Sequence, residues 1–75
     1  MNTYLATLSP NIKKYAKELV EEYEYSDYPT VRIPAYHNEK IIEALQKTAK
    51  YLVPASTIRL TYESEYSIEA TIVIK

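Results

Sequence analysis

Seventy-five residues make one domain, spanning 1–75, whose small core gains little over a chain-entropy cost of about 1.5 kcal/mol per residue. With no cysteine, disulfides and thiolate metal sites are excluded, and oligomerisation is the remaining way to add stability. A net charge of −1 excludes a broad basic footprint while leaving room for a local patch. No apolar run approaches the roughly 18 residues of a membrane span, and no charged-then-apolar leader opens the chain. The expectation is a soluble, cytoplasmic, unprocessed protein without a membrane partner.

Two features of composition shape the rest. Glycine is absent, so every turn must form without the residue that adopts positive φ at least cost. Nine tyrosines stand where phenylalanine and tryptophan are missing. A buried tyrosine needs a partner for its hydroxyl, so many of these rings belong at the rim of the core. Enrichment in Ile, Lys, Glu and Tyr without Cys fits a thermophile.

In chain order, Asn2–Leu8 alternates Tyr4, Ala6 and Leu8 against Thr3, Leu5 and Thr7, which predicts a strand. Ser9-Pro10 then supplies an N-cap residue and a proline at the first helical position. Ile12, Tyr15, Ala16, Leu19, Val20 and Tyr23 form a helical stripe to about Glu24. Ser26–Pro29 connects to a short strand, Thr30–Ile33, with Val31 and Ile33 inward and Arg32 outward. After the loop Pro34–His37, Asn38 caps a second helix in which Ile41, Ala44, Leu45, Thr48, Ala49 and Leu52 share a face, until Pro54 ends it. Period two then returns in Ile58, Leu60 and Tyr62, and again in Tyr66, Ile68, Ala70, Ile72 and Ile74.

A three-residue loop, Glu63–Glu65, pairs Tyr62 with Tyr66, Leu60 with Ile68 and Ile58 with Ala70, keeping apolar opposite apolar. Such a loop places Glu65 or Ser64 in the left-handed region, at about 1 kcal/mol or more. The opposite face carries Thr57, Arg59, Thr61, Ser67, Glu69 and Thr71, so both helices pack on the apolar side. The fold class expected is α+β: a two-layer β-α-β-α-β-β sandwich with a four-stranded mixed sheet and both helices on one face. Crossover rules run its first three strands parallel, with the last antiparallel.

Four stretches carry a resemblance. They are Tyr4-Leu5 leading into Ser9-Pro10, Val31-Arg32-Ile33 leading into Ala35, Tyr51–Pro54 before Thr57–Leu60, and the closing Ser67–Lys75. Together they make the chain similar to the Alba family, the small archaeal chromatin and RNA-binding proteins, which share a sandwich with the C-terminal domain of bacterial translation initiation factor three. The resemblance implies that fold, a homodimer and DNA or RNA as partner. Where the family carries a lysine pair before the helix-opening proline, this chain has Leu8 and Ser9. In place of an Arg-Gly-Arg-like loop it has Tyr36-His37-Asn38, and in place of a long basic arm the short acidic tip Glu63-Ser64-Glu65.

The expected topology gathers the Ser9-Pro10 turn, the loop Pro34–Asn38 and the hairpin tip at one edge, where both helices begin. Helix N-termini attract anions. Lys13, Lys14, Lys17 and Lys40 lie near that edge, and Glu21, Glu22 and Glu24 lie at the far end of the first helix. That is the reverse of what the helix dipole favours, and it points to a charge arrangement kept for a phosphate. As ordinary solvated faces the same charges cost only about 0.3–1 kcal/mol each. Tyr36 and His37 suit stacking on an unpaired base, and Asn38 lies beside them. A lone histidine without cysteine makes no metal site. No activated nucleophile, paired base or Gly-rich phosphate loop marks an enzyme, and no cofactor is implied. Tyr25, Tyr28 and Tyr51 suit a protein interface, and Leu5, Ile42 and Val73 fall off the core faces as candidates for a dimer patch. The open sheet face holds Arg32 and Arg59, available to Glu69 or to a partner.

Two functions follow. One is a small, non-enzymatic, Alba-like nucleic-acid-associated protein, with Lys13, Lys14, Lys17 and Lys40 on phosphate and Tyr36, His37 and Asn38 beside it, binding weakly and salt-sensitively. The other is a protein–protein interaction module, viral or plasmid-encoded, on the same fold without nucleic-acid binding.

Overall fold

The computed structural model describes residues 2–74. Its elements are α1 (Asn2–Ala6), α2 (Pro10–Tyr25), β1 (Thr30–Pro34), α3 (Glu39–Leu52), β2 (Ser56–Tyr62) and β3 (Ser67–Ile74). The sheet has three strands in the order β1-β3-β2, and both pairings are antiparallel. β1 and β2, joined through α3, therefore run parallel to each other with β3 inserted between them.

This corrects the expected four-stranded mixed sheet and, with it, the β-α-β-α-β-β order that the Alba resemblance implies. The predicted first strand is helix α1. A short run such as Tyr4, Ala6, Leu8 cannot by itself distinguish a strand from a helical turn. Here local bonds decide: the Thr7 and Leu8 N–H groups donate to the Tyr4 and Leu5 carbonyls at 3.0 and 3.1 Å. The Thr7 hydroxyl adds a second bond to the Tyr4 carbonyl at 2.6 Å. The Tyr4 ring stacks on Tyr51 of α3, with centroids 5.9 Å apart.

The core forms where the helical and strand periodicities meet. α3 buries Ile41, Ala44, Leu45, Thr48 and Ala49, and α2 buries Ala16 and Leu19. The alanines let the helices approach each other and the sheet, while Leu19 and Leu45 pack onto Val31, Ile33, Ile68, Ala70 and Ile72. Ile58 and Leu60 of β2 are only half-buried against this cluster. Buried polar groups are paired: Thr48 donates to the Ala44 carbonyl at 2.8 Å and Ser56 to the Ala49 carbonyl at 3.0 Å.

The hairpin is offset by two residues from the expected register. Tyr62 opposes Ile68, Leu60 opposes Ala70 and Ile58 opposes Ile72. A shift of two keeps every side chain on its face, so the hydrophobic pattern is unchanged while the stretch between Tyr62 and its partner grows from three residues to five, 63–67. The Ser64 hydroxyl closes that loop by accepting from the Tyr66 and Ser67 N–H groups at 3.1 and 3.2 Å. A serine side chain thus replaces the left-handed residue expected at Ser64 or Glu65. Among the described non-glycine residues, the one positive φ is at His37, 55°.

Two outcomes are expected from this packing. Leu45→Ala, at a position with 0 % exposure, lowers stability by about 2–5 kcal/mol in urea titration. Tyr4 has its phenol pKa raised, chiefly by burial, with Glu43 and Tyr51 adding and Lys47 opposing. The native state therefore holds a proton that the unfolded chain releases near pH 10, so this contribution is present below pH 10 and lost as pH rises through the native pKa. Tyr4→Phe removes it, and denaturation midpoints between about pH 9 and 11 should fall less steeply in that variant.

Candidate nucleic-acid interface

The edge at which β1 ends also holds the hairpin tip and the starts of α2 and α3. The Ala35 N–H donates to the Tyr66 carbonyl at 3.0 Å, fastening the loop after β1 to the tip. Between the two helix starts lies an open cleft of about 420 Å³, lined by Asn11, Lys14 and Tyr15 of α2 and by His37, Lys40 and Ile41 around the start of α3.

Both helices start without a side-chain cap. Ser9 makes no side-chain cap bond. Asn38 stands at the N-cap of α3 but turns its amide away, donating from Nδ2 to the Pro34 carbonyl at 2.8 Å. This bond closes the 34–38 loop, in which His37 adopts a left-handed φ of 55°. The first-turn N–H groups of α3 are left to solvent or a ligand, and their partial positive charge adds to the ammonium groups of Lys14 and Lys40.

Of the seven residues proposed from sequence, Lys14, His37 and Lys40 line this cleft. Asn38 acts one step back, as the loop brace. Tyr36 lies next to His37 and is 64 % exposed. Lys13 is half-buried and Lys17 is exposed; neither lines the cleft. Lys17 lies beside Lys14, Glu18 and Glu21 in a shallower hollow, where the carboxylates offset its charge. The Lys14 ammonium sits 4.9 Å from the centroid of the Tyr15 ring, a cation–π contact that holds it at the cleft wall. Sequence reasoning missed Asn11 and Tyr15 at the cleft. Asn11 carries a legible signal as a polar residue in the first turn of a proline-started helix, whereas Tyr15 reads as core until the helix pair is seen.

The acidic tip is less hostile to an anion than its sequence suggests. Arg32 crosses the open face of the sheet to Glu63, 3.0 Å away, rather than pairing with Glu69. Tyr62 and Tyr66 flank the tip and are both exposed, so with Tyr36 three rings stand on this edge. Glu39 remains at the cleft rim as an opposing charge. Elsewhere, Tyr25, Tyr28 and Tyr51 are exposed, and Leu5, Ile42 and Val73 are half-buried.

Among the described residues, no three His, Asp or Glu side chains gather as a metal site. No described helix is long and apolar enough to cross a membrane. Compared with family models, with curated proteins and with solved structures, the chain matches none.

Lys40 occupies the first turn of α3, where a negative side chain is favoured. Lys40→Glu should raise unfolding free energy by about 0.3–1 kcal/mol at low salt, read from urea titration. A loss of stability would show that the lysine is held by contacts within the fold.

Proposed function

We propose that the protein binds single-stranded nucleic acid, without catalysis, through the edge where α2 and α3 begin. The observation that carries this reading is the convergence of Lys14, Lys40, His37 and Asn11 on one cleft between two helix starts that lack side-chain caps. A phosphate in that cleft meets two ammonium groups, an imidazole and free N–H donors. Bases on either side of it meet Tyr36 on the loop and Tyr66 at the tip, and each stacked base contributes about 1–3 kcal/mol. Unpaired strands suit this edge better than a duplex, because stacking requires exposed base faces. The few cations, with Glu39 and Glu65 nearby, support modest affinity and a small salt dependence. The class of ligand agrees with the Alba-like resemblance of the sequence. The reading itself stands on the cleft and not on that family's fold.

A protein-binding role is the second reading, supported by Tyr25 and Tyr28. They are 85 % and 74 % exposed where α2 passes into β1, at the opposite end from the cleft.

Fluorescence anisotropy with labelled single-stranded and duplex DNA and RNA separates the two. Wild type should prefer a single strand, with log Kd against log salt showing a slope of magnitude about 1.5–2 for two or three phosphate contacts. Lys14→Glu with Lys40→Glu should abolish binding, and Tyr36→Ala should weaken it by about 1–3 kcal/mol, roughly 5- to 150-fold. Binding unchanged by the double charge reversal would overturn the site.

A further inference from the structure

We propose that a second copy of this chain pairs antiparallel with the open edge of β2, joining two three-stranded sheets into one of six. The proposal is independent of the nucleic-acid reading. It rests on which backbone groups the sheet leaves unpaired.

Three bonds fix the directions of the β3 backbone groups. The Ile72 N–H donates to the Pro29 carbonyl at 3.0 Å, and the Tyr66 carbonyl accepts from Ala35, so even-numbered residues of β3 face β1. The Glu63 N–H donates to the Ser67 carbonyl at 3.3 Å, so odd-numbered residues face β2. In an antiparallel pair, residues that do not exchange bonds point their N–H and C=O away. With the register Thr57↔Val73, Arg59↔Thr71 and Thr61↔Glu69, Ile58, Leu60 and Tyr62 are the residues that present both groups to the open edge.

The two edges of the sheet are not equivalent. On β1 the outward residues are Thr30, Arg32 and Pro34. Pro34 has no N–H, and its carbonyl is taken by Asn38, so this short edge is blunted. The edge of β2 carries no proline and no lysine, and no described strand pairs with it. Its outward residues are also the apolar ones that the helices cover incompletely. Ile58 and Leu60 are half-buried, and Tyr62 is 73 % exposed.

The sequence of β2 is self-complementary about Leu60. A two-fold axis there places Leu60 on Leu60 of the second copy and Ile58 on Tyr62. About six N–H···O bonds then form between the outward groups. On the helix-bearing face this makes an apolar row. On the other face Arg59 opposes Thr61 and Thr57 opposes Glu63, while Arg59 lies diagonal both to Glu63 and to Arg59 of the second copy, so no like charges stand directly opposite. Centring instead on Arg59 sets arginine against arginine. Centring on Ile58 or Tyr62 runs the strand past its partner. Centring on Thr61 also keeps the apolar row, with Leu60 on Tyr62, and sets Arg59 directly against Glu63. The strand is thus complementary to itself about Leu60 or about Thr61, and a second copy is the occupant.

The test is sedimentation equilibrium of the full chain, without nucleic acid, up to about 1 mM, the range that resolves weak association. Wild type should form a dimer. Tyr62→Pro removes one outward N–H that has no partner in the monomer, and should weaken association at least about tenfold while circular dichroism is retained. Leu60→Cys places the only thiols of the dimer about 5.5 Å apart at Cα, within disulfide reach, and should give a covalent dimer on mild oxidation. Tyr25→Cys should not. The Leu60→Cys result stands even if Tyr62→Pro fails to fold. A wild type that stays monomeric throughout overturns the proposal. So does a dimer that neither Leu60→Cys nor Thr61→Cys traps.

Discussion

Strand β3 is bonded on both sides, and everything else is placed by it. Its even-numbered groups hold β1 and its odd-numbered groups hold β2. Ile68, Ala70 and Ile72 supply the floor on which Leu19 and Leu45 pack. A central strand needs side chains that tolerate burial on one face and crowding on the other. Thr71, on the outer face, is nearly buried and answers its Thr30 neighbour with a hydroxyl bond of 2.9 Å. Because β3 follows β1 and β2, the sheet closes only when Ser67–Ile74 is in place. β1 and β2 are held in register through a strand far from β1 in sequence, a non-local arrangement expected to slow folding relative to a helical bundle.

From that sheet follows the geometry of the proposed interface. α2 leads into the start of β1 and α3 leaves from its end, so α2 and α3 begin together beside the end of β1. The 34–38 loop is then braced twice, by Asn38 on Pro34 and by Ala35 on Tyr66. Those bonds use the side chain that would otherwise have capped α3. The uncapped helix start and the ordered loop are thus two consequences of one hydrogen bond.

Much of this was legible in the sequence. Helices α2 and α3 and the inward faces of all three strands came from periodicity and from Pro10 and Pro54. The gathering of loops at one edge was inferred from a four-stranded topology that the structure does not have, and it holds because α2 and α3 flank β1. The error over residues 2–8 came from reading alternation in a segment too short to carry a period. Whether Tyr4 stacks on Tyr51 is a tertiary fact that no local pattern states. The hairpin register was missed by two residues because side-chain faces repeat every two, so the apolar pattern cannot distinguish the two solutions. The Ser64 hydroxyl distinguishes them, and a serine in a loop carries that meaning only once its acceptor geometry is seen. Of the candidate site, the charges were visible as residues on helix starts. The sorting of Lys14 and Lys40 to the cleft, and of Lys17 to the neighbouring carboxylates, depends on how the two helices are rotated.

The central claim is that the α2–α3 start edge is the ligand surface. An amide NMR titration with a short single-stranded oligonucleotide at low salt tests it residue by residue. Shifts should concentrate at Asn11, Lys14, Tyr36–Lys40 and Tyr66 and fade as salt is added. Shifts centred on Tyr25 and Tyr28 at the opposite end, or none at low salt, would contradict it.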